Sequence, residues 1–326
     1  MDLSIIIVNY CGWSSLGGCL DEIASFRSGN LDYEVIVVDN NSADGTLEAF
    51  RGKYKNPFNF VENNLNGGFA NGCNLGASMA KGEFFLFLNP DTVASESAIT
   101  GLLENAKLKP ENSLISCRQV NSNGKERKAY GNFIDLGMLT GPGRAIARLV
   151  NGQKLKPGVG DNMIMPDWIS GSVIMISKKF FVQLGGFDED FWMYFEDMDL
   201  CRRARNTGGE IIYITDITIV HDHGGSSRIN TKTTALTKTE VIISGHLYVS
   251  KHFSGFNKIL AQSLLVFSNL LSGIINALPG ILFFFVPKLY VKALVFVRLT
   301  GYYMAALFRR SWRSPLSVNS KKRDNN

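Results

Sequence analysis

The chain has 326 residues, 45% hydrophobic and 19% charged, enough apolar side chain for one large or two modest domains and too much for a disordered chain. Its net charge of +5 is unevenly spread: from Lys251 onward eleven Lys/Arg face one acid, Asp324, whereas the first 250 residues carry 23 basic and 28 acidic groups. An acidic body with a basic, apolar end argues against a nucleic-acid arm, and five scattered cysteines without a CxxC pair argue against a disulfide framework or a zinc site.

In chain order, residues 3–8 form a short β-branched run that reads as a buried strand. No basic flank or long apolar stretch precedes it, so the expectation is no secretory signal and a cytoplasmic body. Leu16, Leu20, Ile23 and Phe26 recur at helical spacing; 34–38 is a second strand; Leu47, Phe50 and Tyr54 mark a helix. Residues 58–61 predict a third strand, 69–80 a helix stopped by Gly82, and 83–88 the most apolar strand. A helix over 95–107, a strand over 114–120, then 172–177 (strand), 178–184 (helix), 196–206 (helix) and 210–220 (strand) complete the rhythm. Strands alternating with helices imply an α/β fold with a mostly parallel central sheet. Residues 121–166, rich in Gly, Asn and Lys, interrupt it in the manner of a functional loop or lid.

The last part differs. Between Lys258 and Lys288 no residue carries a formal charge. Gln262, Asn269 and Asn276, seven apart, form one polar stripe on an otherwise apolar helix that Pro279 is expected to end. A helix over 288–313 would place Lys288, Lys292, Arg298, Arg309, Arg310 and Arg313 within an arc of roughly 120°. The stripe and the prolines favour interfacial or re-entrant helices on an anionic membrane over a single span. Three regions are expected: 1–230 as catalytic domain, 231–257 as a connecting helical segment, and 258–326 as a membrane-associating tail.

In open α/β sheets ligands bind beyond the carboxyl ends of the strands. Asn9 and Tyr10 follow the first strand, Asp39 the second, and Asn89 and Asp91 the fourth. Each alone is also an ordinary turn former. No GxGxxG follows the first strand and no GxxxxGK[ST] occurs, which argues against hydride transfer and P-loop phosphoryl transfer. Asn66, Gly67 and Gly68 lead into a helix whose free N–H groups could meet a phosphate or sugar. Asp91 is a hard oxygen ligand suited to Mg²⁺ or Mn²⁺, or else part of a turn. Glu196, Asp197 and Asp199 open a helix: they either complement its dipole, or one is a general base bordered by Trp192, Tyr194 and Phe195. His221 and His223 flank Asp222 after the last strand, and either could be a metal ligand.

The ordered set resembles the family 2 glycosyltransferases of the GT-A fold, and within them the rhamnosyltransferase-like branch. The motifs are Ser4-Ile5-Ile6-Ile7-Val8-Asn9-Tyr10, Val37-Val38-Asp39-Asn40-Asn41-Ser42, Asn66-Gly67-Gly68-Phe69-Ala70 with Asn74, and Leu88-Asn89-Pro90-Asp91-Thr92. Gly171-Ser172, Gly185-Gly186-Phe187-Asp188-Glu189, Phe195-Glu196-Asp197-Met198-Asp199-Leu200 and the segment from His221 to Ser226 follow in order. The resemblance implies a nucleotide-sugar-binding GT-A fold, with Asn9, Tyr10, Asp39, Asn66, Gly68, Asn74, Asn89 and Asp91 around the donor. Asp91 matches the last position of the DxD motif, which binds metal and diphosphate. Asn89 stands at its first position, so a contribution from His221 or His223 gains importance. Asp197 matches the catalytic base, with Glu196 the alternative.

The implied activity is an inverting, metal-dependent glycosyl transfer with Mg²⁺ or Mn²⁺ from a nucleoside-diphosphate sugar, dTDP-rhamnose favoured, to a lipid-linked saccharide acceptor in surface polysaccharide assembly. The expected location is the cytoplasmic face of the inner (plasma) membrane, peripheral or re-entrant, with the C-terminal tail on the bilayer and no nucleic-acid partner. A UDP-hexose donor and a non-catalytic nucleotide-sugar-binding scaffold are the alternatives.

Overall fold

Alternation along the first strand supplies both faces of the sheet: Leu3, Ile5 and Ile7 enter one buried cluster, Ile6 and Val8 the other. The computed structural model describes residues 1–27, 29, 31–138, 156–157, 162–222 and 230–324. These residues fall into two compact units. The first is drawn from Met1–Phe133, Leu155–Asp188 and Glu196–Ser226, the second from Ile134–Lys154, Glu189–Phe195 and Ser227–Asn326.

The first unit begins with β1 (Leu3–Asn9), α1 (Trp13–Ala24), β2 (Tyr33–Asp39), α2 (Thr46–Lys53), β3 (Phe58–Glu62), α3 (Gly68–Met79) and β4 (Phe84–Leu88). The short β5 (Thr92–Val93), α4 (Glu96–Leu108), β6 (Ser113–Val120), β7 (Glu126–Arg127), β8 (Tyr130–Gly131), β9 (Lys156–Pro157), β10 (Met163–Met165) and β11 (Trp168–Ile169) follow. It closes with β12 (Val173–Ser177), α5 (Lys178–Gln183), α6 (Glu196–Asn206) and β13 (Glu210–His221). The strands and helices predicted before residue 221 are all present, within a few residues at each end.

The main sheet has the order β3-β2-β1-β4-β12-β6-β13-β10-β9, and β8 pairs with β11 in a separate ribbon. β1, β2, β3 and β4 are parallel, as are β6 and β13, while β12 runs antiparallel between β4 and β6. The arrangement is an α/β fold with a mostly parallel mixed sheet. One face packs against α1, through Leu16, Cys19, Leu20 and Ile23 at helical spacing, and against α4. The other takes α3, α5 and α6. α3 lies very close: a Cβ on Gly72 would stand 2.6 Å from a Val8 methyl, and one on Gly76 2.6 Å from an Ile6 methyl.

The second unit contains α7 (Thr231–His252), α8 (Gly255–Leu282), α9 (Pro287–Arg309) and α10 (Val318–Asp324). The segment expected to connect, 231–257, is thus mostly the long helix α7. Asp190 is a buried node of this unit, bonded to Lys251 at 2.8 Å, Arg313 at 3.0 Å and Asn319 at 2.8 Å. Of the aromatic residues preceding the acidic cluster, Phe195 has its ring centroid 5.7 Å from that of Tyr248.

Three tail expectations are corrected. Pro279 does not end its helix: α8 continues past it to Leu282, and the Pro279 carbonyl accepts from Phe283 N–H at 2.9 Å. The last basic helix stops at Arg309, with Arg310 left-handed at φ 49°, so Arg313 lies outside it and pairs with Asp190. The polar stripe faces protein: Gln262 and Asn269 bond to His246 and Tyr303, and Asn276 accepts from Lys292. α8 and α9 are long and apolar enough to cross a membrane and are candidate membrane-associated helices. Phe256, Phe267 and Leu278 of α8 and Phe308 of α9 are exposed, as are Phe284 and Phe285 between the two helices.

Candidate active site

Parallel pairing of β1 with β2 sets Asn9 beside Asp39 at the carboxyl edge. Asn9 is fully buried; its Oδ1 accepts from Gly12 N–H at 3.2 Å, and its Nδ2 has no hydrogen-bond partner among the described residues. The Ser42 hydroxyl and N–H both donate to the Asp39 carboxylate, whose pKa burial nevertheless raises. Tyr10 is exposed next to them. Asn66 shapes the start of α3, its Oδ1 accepting from Gly68 N–H at 3.1 Å and from Asn40 Nδ2 at 3.2 Å. Asn63 extends this amide network to Asn40 and Asn71, at 2.8 Å each. Asn74 acts as a brace: its Nδ2 donates to Phe187 O at 2.8 Å and its Oδ1 accepts from Phe187 N–H at 2.9 Å.

The second group gathers where β4, β6, β12 and β13 end. Asn89 N–H donates to Ser172 O at 3.0 Å, and Asn89 O accepts from Thr92, fixing the turn that carries Asp91. β13 pairs with β5, and Asp222 N–H donates to Asp91 O at 3.1 Å. His221, 1% exposed, therefore directs Nε2 to within 3.2 Å of Asp91 Oδ1. Its Nδ1 lies 2.8 Å from Gln119 Oε1, which also accepts from Ser172 Oγ at 2.9 Å. A carboxylate oxygen and an imidazole nitrogen converging this way fit a divalent cation. No cluster of three or more protein ligands exists among the described residues. His223 lies outside the described residues.

The third group opens α6. Asp197 Oδ2 accepts from Gly171 N–H at 2.9 Å and Oδ1 from Met198 N–H at 2.7 Å. Burial raises the Asp197 pKa, and those N–H groups recover only part of the shift. Glu196 is more strongly affected: burial first, then the Asp197 charge, push its carboxyl well above the usual range, and Oε2 is buried without a hydrogen-bond partner among the described residues. That separation favours Asp197 as the ionised member and Glu196 as the neutral one. Tyr194 and Phe195, just before, both adopt left-handed backbone at φ 70° and 67°, a strain typical of functional sites.

The three residues Ser170, Gly171 and Ser172 join the second and third groups. Gly171 holds Asp197, while Ser172 touches both Asn89 and Gln119. Sequence reasoning missed Gln119 and Ser172 as site residues. For Gln119 the available signal was its place near the carboxyl end of β6; Ser172 precedes β12, which runs antiparallel to β4, so that Val173 stands opposite Leu88 at the end of β4.

Residues 4–166 match Glycosyl transferase family 2, and residues 166–223 match the N-terminal domain of galactosyltransferase. The chain belongs to glycosyl transferase family 2. This family 2 protein is 28% identical over 225 residues to a low-salt glycan biosynthesis hexosyltransferase of Haloferax volcanii, covering 68% of this chain and 67% of the relative. It is 26% identical over 222 residues to an N-acetylglucosaminyl-diphospho-decaprenol L-rhamnosyltransferase of Mycobacterium tuberculosis, covering 59% of this chain and 67% of the relative. Among solved structures, a mannosyltransferase from Pyrobaculum calidifontis in complex with GDP-Man and Mn²⁺ superposes with a TM-score of 0.52 at 15% identity, over 91% of this chain and 86% of the other. GalNAc-T7 with UDP, GalNAc and Mn²⁺ gives 0.55 at 14% identity, over 82% and 54%. These two likenesses establish the fold.

Proposed function

We propose that the protein transfers a sugar, with inversion, from a nucleoside-diphosphate donor to a lipid-linked saccharide acceptor at a membrane surface. The observation that carries this reading is the continuous set of contacts from Asp197 through Gly171 and Ser172 to Gln119, His221 and Asp91. It joins a buried carboxylate of raised pKa to a carboxylate–imidazole pair, the two kinds of group that a displacement at a sugar phosphate requires.

Asn9 and Asp39 receive the nucleoside, with the buried Asn9 amide as a donor and Asp39 as an acceptor held by Ser42. Asp91 and His221 would hold Mn²⁺ or Mg²⁺, which when bound would offset the negative charge growing on the leaving diphosphate. The imidazole nitrogen favours Mn²⁺, since Mg²⁺ prefers oxygen ligands. Asp197 accepts the proton of the acceptor hydroxyl as that oxygen attacks the anomeric carbon opposite the leaving phosphate, so configuration inverts. Its raised pKa makes it a stronger base than a surface aspartate, while the Gly171 and Met198 N–H groups fix its direction.

The mycobacterial relative's name supports rhamnose and a lipid diphosphate acceptor; the haloarchaeal relative, at slightly higher identity, supports a hexose donor such as a UDP-hexose. The exposed apolar surfaces of α8 and α9, with Lys288, Arg309 and Arg310, support attachment to the cytoplasmic face of the membrane. The test uses the purified full chain with Mn²⁺ or Mg²⁺, a panel of dTDP-rhamnose, UDP-hexoses and GDP-mannose, and membrane lipid extract as acceptor. Donor-dependent glycolipid of inverted anomeric configuration is expected. Donor binding without transfer across the whole panel would favour the scaffold alternative and remove the enzymatic one.

A further inference from the structure

We infer that Gln119 is a positioning residue that sets the ring tautomer of His221 and thereby prepares it as a metal ligand; the inference rests on the proposed metal role of Asp91 and His221. Gln119 and His221 sit on adjacent parallel strands whose register brings their ends together, with Ile219 opposite Gln119 and Val220 opposite Val120. Both side chains are 1% exposed, so water cannot substitute freely for either partner. His221 Nδ1 stands 2.8 Å from Gln119 Oε1. An amide oxygen only accepts, so the proton of a neutral ring is on Nδ1 and the lone pair is on Nε2.

The amide is itself held in this orientation. Ser172 Oγ donates to the same Oε1 at 2.9 Å and has Ser170 Oγ 3.0 Å away. His221, on β13, and Ser172, in the turn before β12, address this one oxygen from separate parts of the fold. The consequence is read at the other side of the ring. Nε2 and Asp91 Oδ1, 3.2 Å apart, are both acceptors in this state, an arrangement that a divalent cation satisfies. Remove the Gln119 oxygen and the ring gains by moving its proton to Nε2, where Asp91 accepts it. That tautomer closes the pair on itself and blocks ligation.

The expected loss follows the usual size of such outer partners, about 10- to 100-fold in metal affinity. The test compares the full-length protein with its Gln119→Leu and Gln119→Glu variants. Mn²⁺ alone is titrated and free Mn²⁺ is followed by its electron paramagnetic resonance signal. In parallel, ¹⁵N–¹H correlation spectra of the metal-free proteins, labelled at histidine, report which His221 nitrogen carries the proton. The parent is expected to bind Mn²⁺ and to show Nδ1–H; Gln119→Leu to bind about 10- to 100-fold more weakly and to show Nε2–H; and Gln119→Glu to retain binding and Nδ1–H. Leucine-variant affinity within two-fold of the parent, or an unchanged tautomer, overturns the assignment. If Gln119→Leu does not fold, an Nε2–H ring in the metal-free parent overturns it equally. A parent with Nδ1–H that binds no Mn²⁺ removes the metal role of the pair, and with it this inference, while leaving the glycosyl-transfer reading to its own assay.

Discussion

Asp197→Asn separates chemistry from architecture. Asp197 accepts two backbone N–H groups, from Gly171 and Met198. Asparagine keeps one oxygen and turns an amide N–H₂ toward the other donor, costing about 1–3 kcal/mol for the lost acceptor. Part of that is offset because the neutral amide escapes the burial that raises the Asp197 pKa. The net cost is expected to be below about 2 kcal/mol, a fall in Tm of under about 8 °C at roughly 2–4 °C per kcal/mol for a domain of this size. Losing the proposed general base is expected to lower kcat by about 10²–10⁴, equal to about 2.7–5.4 kcal/mol of transition-state stabilisation. The rate effect therefore exceeds the structural one. The assay pairs initial rates of glycolipid formation with calorimetric binding of the nucleotide-sugar and a thermal melt. The base must be unprotonated, so the parent's kcat/KM is lost as pH falls, at a higher pH than an ordinary aspartate gives; the variant lacks that limb. More than a tenth of parental kcat, or equal loss of donor binding and rate, would refute the assignment.

Glu196→Gln tests the neutral member of the pair. A carboxyl whose folded pKa is raised contributes stability present below its unfolded value and lost as pH rises through the folded one. The parent's Tm is therefore expected to decline on the alkaline side relative to Glu196→Gln; parallel Tm–pH curves would contradict this. Asn74→Ala removes both bonds to the Phe187 backbone and is expected to cost about 2 kcal/mol in denaturant unfolding, with donor affinity within two-fold; a large affinity loss at unchanged stability would assign Asn74 to the donor instead. Simultaneous Phe283→Ser, Phe284→Ser and Phe285→Ser, at exposed rings between α8 and α9, is expected to weaken co-sedimentation with phosphatidylglycerol vesicles at least about a hundred-fold, each ring contributing roughly 1.5–3 kcal/mol when buried in lipid. Unchanged sedimentation would exclude this apex from the bilayer.

Strand-end residues were legible because the rule that finds them is local. An apolar run that stops at Asn9, Asp39 or Asn89 identifies a strand and its carboxyl end in a single reading. Which of those residues meet each other is set by strand order, and the order β4-β12-β6-β13 brings in a strand from far along the chain between two earlier neighbours. Gln119 and His221 are 102 residues apart and meet only because β6 and β13 are adjacent. No periodicity encodes that adjacency. The amide of Asn74 shows the opposite case, a motif residue used for bracing, where the residue type suits a ligand and a backbone equally well.

The polar stripe of α8 failed as a guide for a related reason. Residues seven apart lie on one helical face, but spacing does not say whether that face meets water or another helix. Here it meets protein: Gln262 bonds to His246 at 2.6 Å, His246 to Tyr303 at 2.9 Å, and Asn269 to the same Tyr303 hydroxyl at 3.3 Å. Turning the stripe inward leaves a more apolar outer surface than the sequence implied, with Ile259, Phe267, Leu271, Ile274, Ile275 and Leu278 exposed. The expected basic arc is reduced at the same time, because Arg313 lies outside the helix and pairs with Asp190. Both changes act in one direction. The proposed attachment then draws more on buried apolar area than on lipid charge, and a contact of that kind is weakened little by salt, which screens exposed charges separated by more than about 10 Å at 0.1 M and leaves apolar burial intact.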